Sequence, residues 1–332
     1  MDGVSAAGNG GHESRVRVDL TAVVVAVDAG QPYVLTVDTA EPPGIAVPSG
    51  PLVSGHRTLQ AGLRAWVEAQ TKCRLEYVEQ LYTFGDRTST PFGANETTDH
   101  RAVSIAYLAL VAMPAAERLE MQAHWLSWYA LFPWEDHRQG VPAIVGTIRD
   151  QLMAWGEQSG LSRRAAWQER VDLNLGIGRV SWDEERALER YEMLYGARLV
   201  EEAFRDRGEI PPDRPGSTYG VSLAADHRRI VATGISRLRA KIKYRPVLFE
   251  LMPPQFTLSQ LQKTAEALSG IALHKQNFRR LVEQQNLVEE TGEVATDTGG
   301  RPAKLMRFRE EVLLERPAPG LRVSATRRGS PI

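Results

Sequence analysis

Two stretches of this chain carry residue types whose spacing could do chemistry. The first runs Gly50-Pro-Leu-Val-Ser-Gly-His56 and resumes at Arg64-Ala-Trp-Val-Glu-Ala-Gln-Thr71. On a helix, residues three and four apart share a face, the spacing by which carboxylates converge on a divalent cation beside a diphosphate. Glu68 is the only carboxylate between His56 and Thr71. Mg²⁺ takes several oxygen ligands and sheds water reluctantly, so a lone Glu68 is a poor site and reads as a solvated helix position. The second stretch is basic. Lys275, Asn277, Arg279 and Arg280 would project from a helix whose inner side is Phe278, Leu281 and Val282, and Arg301, Lys304, Arg307 and Arg309 follow it. Lys and Arg meet phosphates, while Arg to guanine and Asn to adenine are usual base-edge pairs. The competing reading is a solvated charged surface, because Glu283, Glu289, Glu290 and Glu293 lie among these cations.

The elements around these residues predict how they are held. Thr257-Leu-Ser-Gln260 is a capping box opening a helix with Leu258, Leu261, Ala265 and Leu268 on one side. Gly270 turns the chain, a second helix spans 274–285, and short strands at 287–290 and 304–308 flank a Gly-rich loop at 292–302. Helix, turn, helix and basic hairpin is the order of a winged helix-turn-helix, which presents its second helix and its hairpin to a duplex. Upstream, the continuous β-branched run within 18–27 predicts a strand covered on both faces. A hairpin partner at 33–37, a helix at 59–70, a strand at 77–84, a polar loop at 85–99 and a strand at 103–113 complete a mixed sheet packed by helices.

Six of the seven tryptophans fall between Trp125 and Trp182. This segment reads as a helical insertion at about 115–220, with His124, Trp125 and Trp128 on an aromatic helix. Ser181-Trp-Asp-Glu184 reads as a capping box starting a helix that reaches about 207, and 226–243 as a further helix. His227, beside Asp226 at a helix start, reads as a packed histidine next to a capping Asp, with a general-base or ligand role as the alternative.

With 40 Lys and Arg against 41 Asp and Glu, the formal charge is −1, so any nucleic-acid surface must be a local patch. One cysteine, Cys73, excludes an internal disulfide and suits a reducing compartment. The apolar run at 103–113 is too short to span a bilayer, and the Gly-rich residues 1–14 read as a disordered tail without a signal peptide's apolar core. These features predict a cytoplasmic protein with no membrane partner. No Gly-x-Ser-x-Gly or Walker spacing supports nucleophilic or P-loop chemistry.

The layout from Gly50 to Thr71 resembles a Nudix box. Tyr82-Thr-Phe-Gly-Asp86, Arg101-Ala-Val-Ser-Ile-Ala-Tyr-Leu-Ala-Leu110, Ala225-Asp-His227, Phe256-Thr-Leu258 and Gly300-Arg-Pro-Ala-Lys-Leu305 extend the likeness. Taken in order they resemble the Nudix-related transcriptional regulators of NAD metabolism, over about 18–113 and 221–309. With Arg64 aligned, the box's three glutamate positions carry Ala65, Glu68 and Ala69. One residue further on they carry Trp66, Ala69 and Gln70.

The resemblance implies an α+β chain: a Nudix-like α/β/α sandwich with the helical insertion over 15–245, a winged helix at 246–316 and a disordered tail at 317–332. It implies a homodimeric repressor of NAD-synthesis genes that has no catalytic or metal residues and no cofactor, and that senses ADP-ribose, NAD or ATP. Phe84 (base stacking), Asp86, Arg87 and Arg101 (phosphate pairing) are the expected effector residues, though Phe84 in the core and arginines in surface pairs is an equal alternative. Thr257, Gln260, Lys275, Asn277, Arg279, Arg280, Arg301, Lys304 and Arg307 are the expected contacts to double-stranded operator DNA. Two other readings stay open: an active Nudix ADP-ribose pyrophosphatase with an appended DNA domain, and a scaffold whose tryptophan-rich segment binds another protein.

Overall fold

Strand β1, Val16–Asp28, is the spine of the molecule, and its alternation explains the layers around it. In this computed structural model, which describes residues 16–85, 101–112, 119–159, 164–212, 218–295 and 302–312, β1 is buried on both faces. Leu20, Ala22, Val24 and Ala26 join one core cluster, while Val23, Val25 and Val27 join another. A tight turn at Ala29 and Gly30, both at positive φ, returns the chain as β2, Gln31–Asp38. Short strands β3, Ile45–Ala46, and β4, Ser49–Pro51, pair antiparallel with β2 and β1. Helix α1, Leu59–Thr71, starts at Thr58, whose hydroxyl accepts the Ala61 N–H at 3.1 Å. It ends at Lys72 in the left-handed region. Leu63 and Val67, one turn apart, face the Leu20–Val24 side of the sheet.

Strand β5, Tyr77–Phe84, and β6, Arg101–Leu110, are antiparallel, and β6 runs parallel to β1 from Val16 to Val25. The sheet order is β3-β2-β1-β6-β5. Residues 123–127, expected on a helix, instead form β7, Ala123–Ser127, which extends the sheet beyond β2. His124 and Trp125 are therefore strand residues opposite Thr36 and Leu35, and the helical part of the insertion begins only afterwards.

It comprises α2, Trp128–Leu131; α3, Ala143–Gln158; α4, Arg164–Leu175; α5, Ala187–Gly196; and α6, Glu202–Arg205. The expected helix from 181 to 207 is broken up. Asp183 takes the capping role in place of Ser181, accepting the Glu185 N–H at 3.0 Å over one 3₁₀ turn at Glu184–Arg186. Helix α5 then stops before Arg198, which has a left-handed backbone, so Leu199 packs from a loop. Trp128, Phe132 and Trp134 are fully buried, so those aromatics are core. Helix α7, His227–Ile242, crosses the Val23 face, and Gly234 lets it sit close: a Cβ there would lie 3.1 Å from the Val23 side chain. The result is a sheet between α1 and α7.

The C-terminal unit holds α8, Leu258–Ser269; α9, Lys275–Gln285; and the hairpin β8, Val288–Ala295, with β9, Ala303–Phe308. Both strands are longer than the expected 287–290 and 304–308 pieces. The expected capping box is present in full: Gln260 N–H to Thr257 Oγ1 at 3.2 Å and Thr257 N–H to Gln260 Oε1 at 2.7 Å. Gly270 and Asn286 end the two helices in the left-handed region, which glycine and asparagine tolerate best. Leu261, Leu268, Phe278 and Val282 belong to the same buried cluster as Val23 and Ile235, so the core continues across residue 246.

Candidate nucleic-acid interface and a filled pocket

On α1, the acid positions found with Arg64 aligned, Ala65, Glu68 and Ala69, are exposed, while Trp66 and Gln70, two of the three in the register one residue further on, are engaged in packing. Trp66 lies flat on Gly50: a Cβ at Gly50 would fall 2.3 Å from its ring. The Trp66 indole N–H donates to the Pro51 carbonyl at 2.9 Å, and His56 meets the ring edge-on at 6.2 Å. Gln70 clamps β4 with both ends of its amide, accepting from Ser49 N–H at 3.2 Å and donating to Ser49 O at 2.8 Å. Arg64 donates to the Leu75 and Glu76 carbonyls. Glu68 pairs at 2.9 Å with Arg74, and both side chains are exposed. Among the described residues no group of three or more His, Cys, Asp or Glu could hold a metal ion.

Of the expected effector residues, Asp86 and Arg87 lie outside the described residues, and Arg101 is placed only as the first residue of β6, beside Val16. Phe84 ends β5, half-buried, packed on the core with Tyr82 edge-on at 5.6 Å. Tyr82, 65% exposed, opens onto a groove of about 540 Å³ between β5, α5 and α7, which Arg186, Glu189 and Arg237 also line. His227 is enclosed near β3 and accepts the Val47 N–H at 3.3 Å. Burial, with Arg205 nearby, pulls its pKa down to about 4, so it packs as a neutral ring. Asp226 does not cap α7; it pairs with Arg229 at 2.8 Å, yet burial pushes its pKa up to about 6.

The basic residues split into two populations. On α9, Phe278 and Val282 are buried while Lys275, Asn277, Arg279 and Arg280 are exposed. Lys275 and Arg279 make no ion pair among the described residues, and Arg280 only donates to Asn277 Oδ1 at 3.3 Å. On the hairpin, Lys304 holds Glu290 at 2.7 Å and Arg307 holds Glu289 at 2.5 Å. Arg301 lies outside the described residues. Thr257 and Gln260 spend their polar atoms on each other in the capping box. An exposed cationic helix beside a hairpin is the arrangement a winged helix lays on a duplex, although here the described hairpin cations are already held by glutamates.

Residues 248–308 match the NrtR DNA-binding winged helix domain. The C-terminal unit is thus similar to the winged helix of the NrtR family. The chain is 40% identical over 88 residues to the ADPR responsive transcriptional repressor NtrR of Acinetobacter baylyi. That match takes in 26% of this chain and 35% of the relative, so it spans about a third of the relative's length. Shewanella oneidensis NrtR, in a crystal structure with a 27mer DNA, superposes with a TM-score of 0.52 at 19% identity, over 89% of this chain and 94% of that one. A MutT/nudix family protein from Enterococcus faecalis superposes with a TM-score of 0.51 at 15% identity, over 93% and 90%. The fold is thus a Nudix-like sandwich followed by a winged helix, as the sequence predicts.

Residue-type patterns did not announce a third feature. Glu135, Arg190 and Arg239 are fully buried together. Arg190 grips Glu135 with both nitrogens, at 2.5 and 2.9 Å, and sits 3.7 Å above the Trp182 ring, which His137 stacks at 3.7 Å. Arg239 donates to Glu135 Oε2, the oxygen that Arg190 Nη2 also holds. Burial alone would raise the Glu135 pKa, but the two guanidiniums hold it below the ordinary carboxylate range.

Proposed function

We propose that this chain is a DNA-binding transcriptional repressor of NAD-synthesis genes, acting in the cytoplasm as a homodimer on palindromic double-stranded operators. Its Nudix-like domain binds ADP-ribose or a related adenine nucleotide without hydrolysing it. The observation that carries this reading is the pairing of an NrtR-type winged helix, its α9 cations exposed, with a box helix that keeps one acid, the exposed Glu68, and packs Trp66 and Gln70 beside it. A pocket shaped for a nucleoside diphosphate but stripped of metal-holding acids can bind without cleaving. Its binding energy then shifts the balance between two arrangements of the DNA-reading domains, provided the two arrangements differ in affinity for the nucleotide. The name of the Acinetobacter relative, an ADPR responsive repressor, supports that choice of effector. Two-fold dimers suit palindromic operators.

Titrating the chain against DNA from its own upstream region, with ADP-ribose, NAD and ATP added in turn, tests the reading. Salt-dependent specific binding that one nucleotide alters, with no Mg²⁺-dependent AMP release, is the expected result. AMP release at ordinary turnover would favour the hydrolase.

A further inference from the structure

A helix leaves its last carbonyls without partners of its own, and something else must satisfy them. At the end of α8, three acceptors within residues 267–270 are met from outside the winged helix. Tyr129 on α2 donates its hydroxyl to Ala267 O at 2.6 Å, Arg239 on α7 donates Nε–H to Leu268 O at 2.8 Å, and the His137 backbone N–H reaches Gly270 O at 2.8 Å. Gly270 itself leaves no room: a Cβ there would lie 2.4 Å from Glu135 O and 3.2 Å from the Tyr129 hydroxyl. The arginine is fixed in turn by the Glu135 carboxylate and by Glu184 O at 2.9 Å. Beyond the clamp, Glu266 accepts Leu273 N–H at 2.9 Å and Gln262 donates to Leu273 O at 2.9 Å, so the turn into α9 is stapled to α8. From the sheet side, Gly30 at the β1–β2 turn approaches Lys263 of α8.

An apolar trio of similar volume would stabilise this junction as well as Glu135, Arg190 and Arg239 do. What a buried, directional set of charges can add is one geometry. We propose that Tyr129, Arg239 and Glu135 are positioning residues for DNA reading. They grip the C-terminal end of α8 from the sheet domain, so that α9 is presented at a fixed angle to the nucleotide-sensing side with no free linker between. This rests on the DNA-binding reading above and adds the route by which the two domains communicate.

The test uses the full chain with Tyr129→Phe, Arg239→Lys and Glu135→Gln, two readouts and a melting temperature for each. Tyr129→Phe removes one hydroxyl, so it stays folded even if the Glu135 variant does not. Lysine keeps the charge of Arg239 but cannot serve Glu135, Leu268 O and Glu184 O together. The first readout is affinity for operator against random duplex. Operator affinity should fall tenfold or more while random-duplex affinity stays within twofold. The second is amide hydrogen exchange over 271–285 without DNA, which should speed at least tenfold. Operator and random affinities falling in step, or no change in either readout for Tyr129→Phe and Arg239→Lys, would overturn the proposal. If wild type binds no duplex at all, the repressor reading fails by itself. The clamp then stands if Tyr129→Phe speeds exchange over 271–285 and falls if it does not.

Discussion

The two faces of the central sheet have been put to opposite uses. On the α1 face the box helix keeps a single exposed acid, Glu68, and packs Trp66 and Gln70, both tied to backbone by neutral hydrogen bonds. On the α7 face, where a sequence reader would expect plain hydrophobic packing, Glu135, Arg190 and Arg239 are buried together, and Arg239 carries the set to the seam with the winged helix. On α1 one exposed carboxylate remains, paired with Arg74, while buried charge gathers on the α7 side. The lesson is that the polar side chains of the two faces meet different partners: backbone on the α1 side and opposite charge on the α7 side.

Breaking the α7 side should do the most damage. Removing one member of a buried ion pair strands the other, which typically costs about 3–5 kcal/mol. Glu135→Leu, which strands both Arg190 and Arg239, read by urea unfolding, should therefore fall in that range. A loss below 1 kcal/mol would mean the pair is not buried in solution. On the α1 side, Gly50→Ala forces a methyl into the Trp66 ring. Overpacking of this kind costs about 1–3 kcal/mol, and the pair Gly50→Ala with Trp66→Leu should recover part of it. A Gly50→Ala protein as stable as wild type would show that Trp66 does not rest there.

The contrast between unpaired α9 and glutamate-paired hairpin gives finer tests. Arg279→Ala or Arg280→Ala should lose about 1–3 kcal/mol of operator binding and relax specificity at one position. Lys304→Ala should weaken all duplexes alike and flatten the salt slope by about 0.9, the share of one phosphate. Because Lys304 already holds Glu290, Glu290→Gln should tighten binding to any sequence, most at low salt. Equal binding by wild type and all of these variants would remove DNA from this surface.

Acidity sharpens the comparison in a smaller way. Burial pulls His137, at the seam, and His227, at the sheet, down to about 4, so the unfolded chain binds their protons first as pH falls from about 6.5. Both rings thus contribute stability above that pH and lose it towards 4. Asp226, raised to about 6, acts with the opposite sign between its unfolded value near 3.9 and 6. The net is about one proton, so stability should drop by about 1.4 kcal/mol per pH unit between 6 and 4. A flat profile there would mean these groups are solvated.

Much of this was legible in residue order because the determinants are local. The continuous apolar run within 18–27, the Thr257 capping box and the Gly270 stop each depend on a few neighbours, and each appears in the structure. Residues 123–127 misled because Trp125 and Trp128 are spaced as on a helix, whereas a distant partner, β2, makes the segment a strand. The capping box at 181–184 failed for a related reason: Glu184 is drawn inward, its carboxylate paired with Lys243 at 2.8 Å and its carbonyl serving Arg239. In the site, the scarcity of acids on α1, where Glu68 stands alone, could be read directly, but the packing of Trp66 and Gln70 beside it could not. Nor does anything in order or composition separate Arg190 and Arg239 from solvated arginines, since burial of a charge depends on a partner far along the chain.

The central claim is that nucleotide binding at an inert Nudix-like fold controls a winged helix. Fluorescence anisotropy of a labelled upstream duplex, titrated with this chain with and without saturating ADP-ribose and Mg²⁺, tests it most directly. The account predicts a specific complex whose dissociation constant shifts at least tenfold with the nucleotide, while chromatography recovers the nucleotide intact. An unshifted constant, or AMP in the recovered mixture, would contradict it.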